Sequence, residues 1–106
     1  MHPLVFNVHK KQAFDIYVGR SKTDVMHFGN PFSHMNVAGT VKVDSREEAI
    51  ECFRLWIAGA AYEEIDPDRR RWIIDNLSRL KGKKLGCFCA PLGCHGDVLA
   101  ELAEKT

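Results

Sequence analysis

The residues best suited to chemistry are gathered in one stretch near the C-terminus, Cys87-Phe88-Cys89-Ala90-Pro91-Leu92-Gly93-Cys94-His95-Gly96-Asp97. Thiolates are soft ligands that suit zinc, copper(I) and the iron of iron–sulfur clusters, so Cys87, Cys89 and Cys94 are candidate metal ligands. Side chains alternate along a strand, and on a strand Cys87 and Cys89 point to the same face, where both can meet one centre. The Ala-Pro-Leu-Gly turn then lets the chain bring Cys94 back. Adjacent residues point apart, which tells against Cys94 and His95 holding one tetrahedral ion. The single-residue gap between Cys87 and Cys89 also departs from the wider gaps of structural zinc sites. The expected cofactor is therefore an iron–sulfur cluster on three cysteines, with the remaining position open or filled by Cys52, water or substrate. Zinc and a metal-free site are the alternatives, because free cysteine is often simply buried as a small apolar residue. Cys52 lies inside an amphipathic stretch and reads first as core.

The residues flanking the thiols add a second layer. Asp97 is placed to cap a final helix, whose first backbone N–H groups could hold a phosphate or another anion. His95 at the same boundary could support a ligand, serve as general acid or bind an anion. Without a metal, Cys94 at a helix start could act as a nucleophile of lowered pKa. Elsewhere, Arg20 could grip phosphate bidentately and the amide of Asn30 could read a base or a sugar. A surface ion pair and a turn are the plainer roles for these two. His27 and His34 flank Asn30 and read as loop histidines.

These residues need elements to position them. Leu4-Val5-Phe6-Asn7-Val8 and Phe14-Asp15-Ile16-Tyr17-Val18 read as strands, and the second runs into the turn Gly19-Arg20-Ser21-Lys22. Residues 27–40 read as a loop, with Phe28 and Phe32 clamping it to the body and Asn30 held extended by Pro31. Ser45 and Glu48 have capping-box spacing, followed by Ala49, Ile50, Phe53, Trp56 and Ile57 on one helical stripe. A second helix is predicted from Asp66-Pro67 to about Leu80. Lys84–Cys89 reads as a strand into the cysteine loop, and Asp97–Ala103 as a helix out of it. The sum is a small three-layer α/β sandwich with a short, mostly parallel sheet. The turns after Val18 and Cys89 lie together at one sheet edge, where open α/β sheets take ligands.

At 106 residues the chain fits a single α/β domain spanning 1–106, and its 45% apolar and 27% charged residues are ordinary for a folded protein. A net charge of +1 gives no global pull on a polyanion. The basic runs Arg69-Arg70-Arg71 and Lys81-Gly82-Lys83-Lys84 read as solvated element ends, with a local basic patch as the alternative. No apolar run is long enough to cross a bilayer and no leader pattern opens the chain, so a cytoplasmic setting and no membrane partner are expected. Thiols stay reduced there, which turns the four cysteines toward metal or redox chemistry rather than structural disulfides.

Ile16-Tyr17-Val18-Gly19-Arg20-Ser21, Phe28-Gly29-Asn30-Pro31-Phe32 and the stretch from Cys87 to Leu99, taken in this order, resemble an uncharacterised family of phage and bacterial proteins catalogued as domain of unknown function 4326. The resemblance covers nearly the whole chain. Its phage setting implies work on nucleotides, DNA or RNA. Phe28 and Phe88 stand where tryptophan is expected in many relatives, a conservative difference. The reading at this point is an iron–sulfur protein with Cys87, Cys89 and Cys94 as ligands. A neighbouring pocket of Arg20, Asn30, His95 and Asp97 receives a nucleotide or nucleic acid. The alternatives are a zinc-bearing or metal-free enzyme acting on a nucleoside or nucleotide through Cys94 or His95, and a small module that engages a host protein.

Overall fold

The computed structural model of the chain describes residues 4–7, 13–21, 23–87 and 94–106. Its organising strand is β5, Leu85–Cys87, all three residues of which are buried. β1 (Val5–Asn7) and β2 (Ile16–Tyr17) flank it, both parallel, with Val5 and Ile16 opposite Leu85 and Asn7 opposite Cys87. Parallel sheets survive where their faces are covered. One cover over β5 is the Phe14 ring, which lies where a Cβ on Gly86 would stand, so a side chain at that position would have to displace the ring. Because all three strands run the same way, Asn7, Cys87 and the Val18 that follows β2 end at one carboxyl edge.

Residues 27–40, expected to be loop, also contain β3 (Phe32–Ser33). It pairs in parallel with β4 (Val41–Lys42) through Val41 N to Pro31 O at 2.8 Å and Val43 N to Ser33 O at 2.9 Å. The two-stranded ladder is too short for alternation to announce it in the sequence.

The first helix, α1 (Arg46–Ala58), starts as its spacing predicts. Ser45 Oγ accepts from Glu48 N at 3.1 Å, while the Glu48 carboxylate reaches back to Asp44 N at 3.2 Å. It ends at Gly59, whose left-handed φ of 76° favours glycine. Beyond that end, Arg70 donates to the carbonyls of Trp56 (2.8 Å) and Ile57 (3.1 Å), supplying the cation that α1 lacks in its own last turn. The second helix, α2, spans Pro67–Asn76, and the chain tightens into a 3₁₀ turn over Leu77–Leu80, so the predicted end is right but the last turn is not α. α3 covers His95–Glu104, beginning two residues before the expected Asp97.

The result is the small α/β fold with short parallel strands that the sequence implied, its strands divided between two sheets. α3 packs on β1 and β5, and α1 packs on α3 and β3. Trp56, Phe53, Phe32, Ile73, Leu80, Leu85, Val98, Leu99 and Val18 form the fully buried centre. Among the described residues, no helix is long and apolar enough to cross a membrane.

Candidate functional site

The carboxyl edge of β5 and the start of α3 bring two thiols together. Cys87 Sγ and Cys94 Sγ stand 3.1 Å apart, and both residues are buried, at 2% and 3% exposure. Cys87 owes its place to the end of the central strand. Cys94 is the N-cap of α3, and the Asp97 carboxylate accepts from Cys94 N at 3.2 Å, so Asp97 acts from the helix's third position rather than as the cap. A Cβ on Gly96 would lie 3.2 Å from Cys94 Sγ and 3.4 Å from Val5, so glycine lets the helix start seat against the sulfur.

The hydrogen bond to Cys87, then burial, push the Cys94 thiol far above its ordinary range, and the Gly96 N–H opposes them weakly. Cys94 is therefore a thiol at neutral pH, the reverse of an activated nucleophile. As metal ligands the pair is better placed: two thiolates about 2.3 Å from a tetrahedral ion stand about 3.8 Å apart, a little wider than the observed separation. Among the described residues, no three His, Cys, Asp or Glu side chains converge as a metal set. Cys89 lies outside the described residues. Cys52 does not join the pair; its sulfur is 3.4 Å from the Tyr62 hydroxyl, on the stripe of α1 that enters the core.

His95 points across the sheet edge. Its Nε2 lies 2.6 Å from the Val18 carbonyl, the Phe28 backbone also bonds the ring, and the Phe53 ring meets it edge-on at 5.2 Å. Burial lowers its pKa to about 4 and Arg20 and Arg69 add to the effect, outweighing the two backbone bonds that favour the charged ring. A neutral imidazole carries one N–H and so donates to one of these two carbonyls at a time, the 2.6 Å contact from Nε2 tying it to the end of β2.

Arg20 and Asn30 work on the same loop from inside the chain. Arg20 donates from Nε to Asn30 O and from Nη2 to Phe32 O, each at 2.9 Å. Asn30 is buried; its Oδ1 accepts from Phe32 N at 2.9 Å and its Nδ2 donates to Ala49 O at 3.0 Å. Tyr17 folds back so that its hydroxyl meets Arg20 O at 3.3 Å, and its ring fills the space that a side chain on Gly19 would need. The three sequence motifs therefore do meet: Arg20 binds the Phe28–Phe32 segment, and His95 reaches both that segment and Val18. They meet through bonds from side chain to backbone. The four residues expected to line a ligand pocket (Arg20, Asn30, His95 and Asp97) each spend polar atoms on holding the chain.

Sequence reasoning missed Arg69. Read as part of a solvated basic run, it is 4% exposed and lies with its guanidinium 5.4 Å from the Trp56 ring centre. It donates to Gly29 O, to His27 O at 3.0 Å and to Asp66 at 2.8 Å. With Arg70 capping α1, the run presents only Arg71 outward, paired with Asp75 at 3.6 Å. The basic patch does not form there. Helical spacing carried the signal: Arg69 is four residues before buried Ile73, whereas Arg71 is four before exposed Asp75. Lys81 and Lys84 are likewise engaged locally, at the Thr106 carbonyl (3.0 Å) and over the Phe6 ring (6.0 Å).

Away from the thiols, Met35, Asn36, Val37, Ala38, Thr40 and Lys42 line a shallow open depression of about 300 Å³. None of the residues expected to form the site borders it.

Fold and site define a small α/β protein with a buried cysteine pair where a parallel strand hands over to a helix. The chain belongs to the family described as Domain of unknown function (DUF4326), whose model matches residues 6–105. It is 37% identical over 62 residues to an uncharacterized 12.4 kDa protein in the nrdA-td intergenic region of Enterobacteria phage T4, covering 58% of this chain and 51% of that protein. The chain thus spans about half the length of the curated relative it matches. No solved structure matches it.

Proposed function

We propose that this phage-type domain binds a soft metal centre through Cys87, Cys89 and Cys94, an iron–sulfur cluster in the first instance, and acts in the cytoplasm on a nucleotide or nucleic acid. The observation that carries the metal half is the meeting of Cys87 and Cys94 at 3.1 Å from two different elements, both buried. Cys89 supplies the further thiol. A bound cluster would supply electron transfer or structural cross-linking. The chain's own part is to present Cys87 at a strand end, to seat Cys94 against Gly96, and to release the Cys94 proton on binding, which makes affinity rise with pH. The nucleotide half draws on position: the carboxyl ends of three parallel strands and the start of α3 share one edge, where α/β sheets take anionic ligands.

The test is an absorption spectrum with iron, sulfide and zinc analysis of protein purified without oxygen. Broad absorbance at about 400 nm with stoichiometric iron and sulfide, lost in Cys87→Ala and Cys94→Ala but kept in Cys52→Ala, is the expected result. Zinc alone would move the reading to a zinc-bearing enzyme or structural site, and protein free of metal would end it. A second reading, a module that engages a host protein, draws on exposed Met35, Val37 and Val41 around the shallow depression. It expects Met35→Ser and Val37→Ser to abolish capture of one host protein that the Cys variants retain.

A further inference from the structure

We infer that Cys87 and Cys94 form a reversible disulfide, making the edge of the sheet a thiol-redox site. The inference stands on the geometry of the pair and concerns the metal-free protein, because a sulfur held by a metal is not available to join the other. The sulfurs are 3.1 Å apart, and a disulfide needs about 2.05 Å, so closure takes a movement of about 1 Å. Both ends are anchored. Cys87 is in register with Asn7 on the parallel ladder, and Cys94 is held by the Asp97 carboxylate on its N–H at 3.2 Å and by its carbonyl, which accepts Asp97 N at 3.1 Å. Cys52 bonds Tyr62 instead and takes no part.

The oxidant is a low-molecular-weight disulfide. In two exchanges its S–S bond breaks, the Cys87–Cys94 bond forms, and two small thiols leave carrying the protons of the protein thiols; nothing else is oxidised or reduced. Both sulfurs are shielded, so exchange proceeds only when this edge opens. The site is thus slow to oxidise, and its state is read at equilibrium.

The full chain with a chelator present, as wild type and as Cys52→Ala, is equilibrated in mixtures of oxidised and reduced dithiothreitol, quenched with acid and alkylated. Expected are a loss of about 2 Da in the unalkylated protein, two fewer alkylated thiols, and a Cys87–Cys94 cross-linked peptide at a defined midpoint. Cys94→Ser keeps an N-cap residue and should fold, as circular dichroism would show, while losing the cross-link. A bond that joins Cys89 to either partner, mixed disulfides alone, or folded wild type whose thiol count never falls would each overturn the inference. Metal analysis of untreated protein is read separately, so failure of the cluster reading and failure of this one leave different records.

Discussion

Residues 28–33 and 35–39 are both largely irregular and rich in Gly, Asn and small side chains, yet every residue of the first is buried and every residue of the second is exposed. The difference lies in where the backbone carbonyls go. A buried loop carries polar groups that water cannot reach, and each must find a partner or cost free energy. In 28–33 the partners come from far along the chain: Arg69 takes Gly29 O, and Arg20 takes Asn30 O and Phe32 O. Among the described residues, segment 35–39 receives no such side chain from a distance. Its bonds among the described residues are local, as in Thr40 Oγ1 to Val37 O at 2.8 Å, and it stays at the surface beside the shallow depression. Phe28 and Phe32 carry the first loop into the core, and guanidinium groups on other elements together with the loop's own Asn30 amide satisfy the carbonyls that burial would otherwise strand.

The contrast breaks most sharply at Arg69. Arg69→Leu leaves the carbonyls of His27 and Gly29 buried without donors, and should cost about 3 kcal/mol in urea unfolding, whereas Arg71→Leu should stay within about 0.5 kcal/mol. Equal effects would remove the distinction between the regions.

Acid should loosen the same loop. His95 has a folded pKa of about 4 against an ordinary value of 6.5, so between those pH values the unfolded chain binds the extra proton. Stability from the neutral ring is complete above about pH 6.5 and falls as pH drops toward 4, by at most about 1.4 kcal/mol per unit. His27, lowered by burial and by Arg69, adds in the same direction. His95→Gln keeps a donor for Val18 O and should flatten the profile, measured by chemical unfolding at stepped pH; an unchanged slope would refute the assignment.

The glycines give a finer comparison. A Cβ on Gly29 would lie 2.8 Å from the Arg20 backbone, so Gly29→Ala should cost about 2 kcal/mol through forced displacement. Gly39 has open space but φ of 79°, and Gly39→Ala should cost only about 1 kcal/mol, the conformational penalty alone. Smallest of all, Met35→Ser in the exposed segment should leave the unfolding midpoint unchanged within about 0.5 kcal/mol.

Much of the fold was legible in the sequence. Ser45 and Glu48 announced the start of α1, Pro67 that of α2, and the apolar runs gave the three strands of the main sheet, because caps and short-range patterns are local properties of a chain. The strands β3 and β4 were not legible: two residues each are too few for a period. At the site, the sequence singled out Cys87, Cys94, Arg20, Asn30, His95 and Asp97, and the structure does assemble them near one edge. Their partners lay beyond sequence reasoning, since a bond such as that from Arg20 to Phe32 O depends on which carbonyl is left unpaired once the chain has folded.

The sequence by itself therefore determined the inventory: thiols spaced to return on each other, an α/β order of elements, the capping chemistry, and membership of a family. Only the tertiary structure decided that Arg69 and Arg70 turn inward while Arg71 stays out, that His95 is a neutral tie rather than a charged ligand, and that Cys94 faces Cys87 as a protonated thiol. Those outcomes depend on desolvation and on distances between residues remote in the chain, and both exist only after the core has closed.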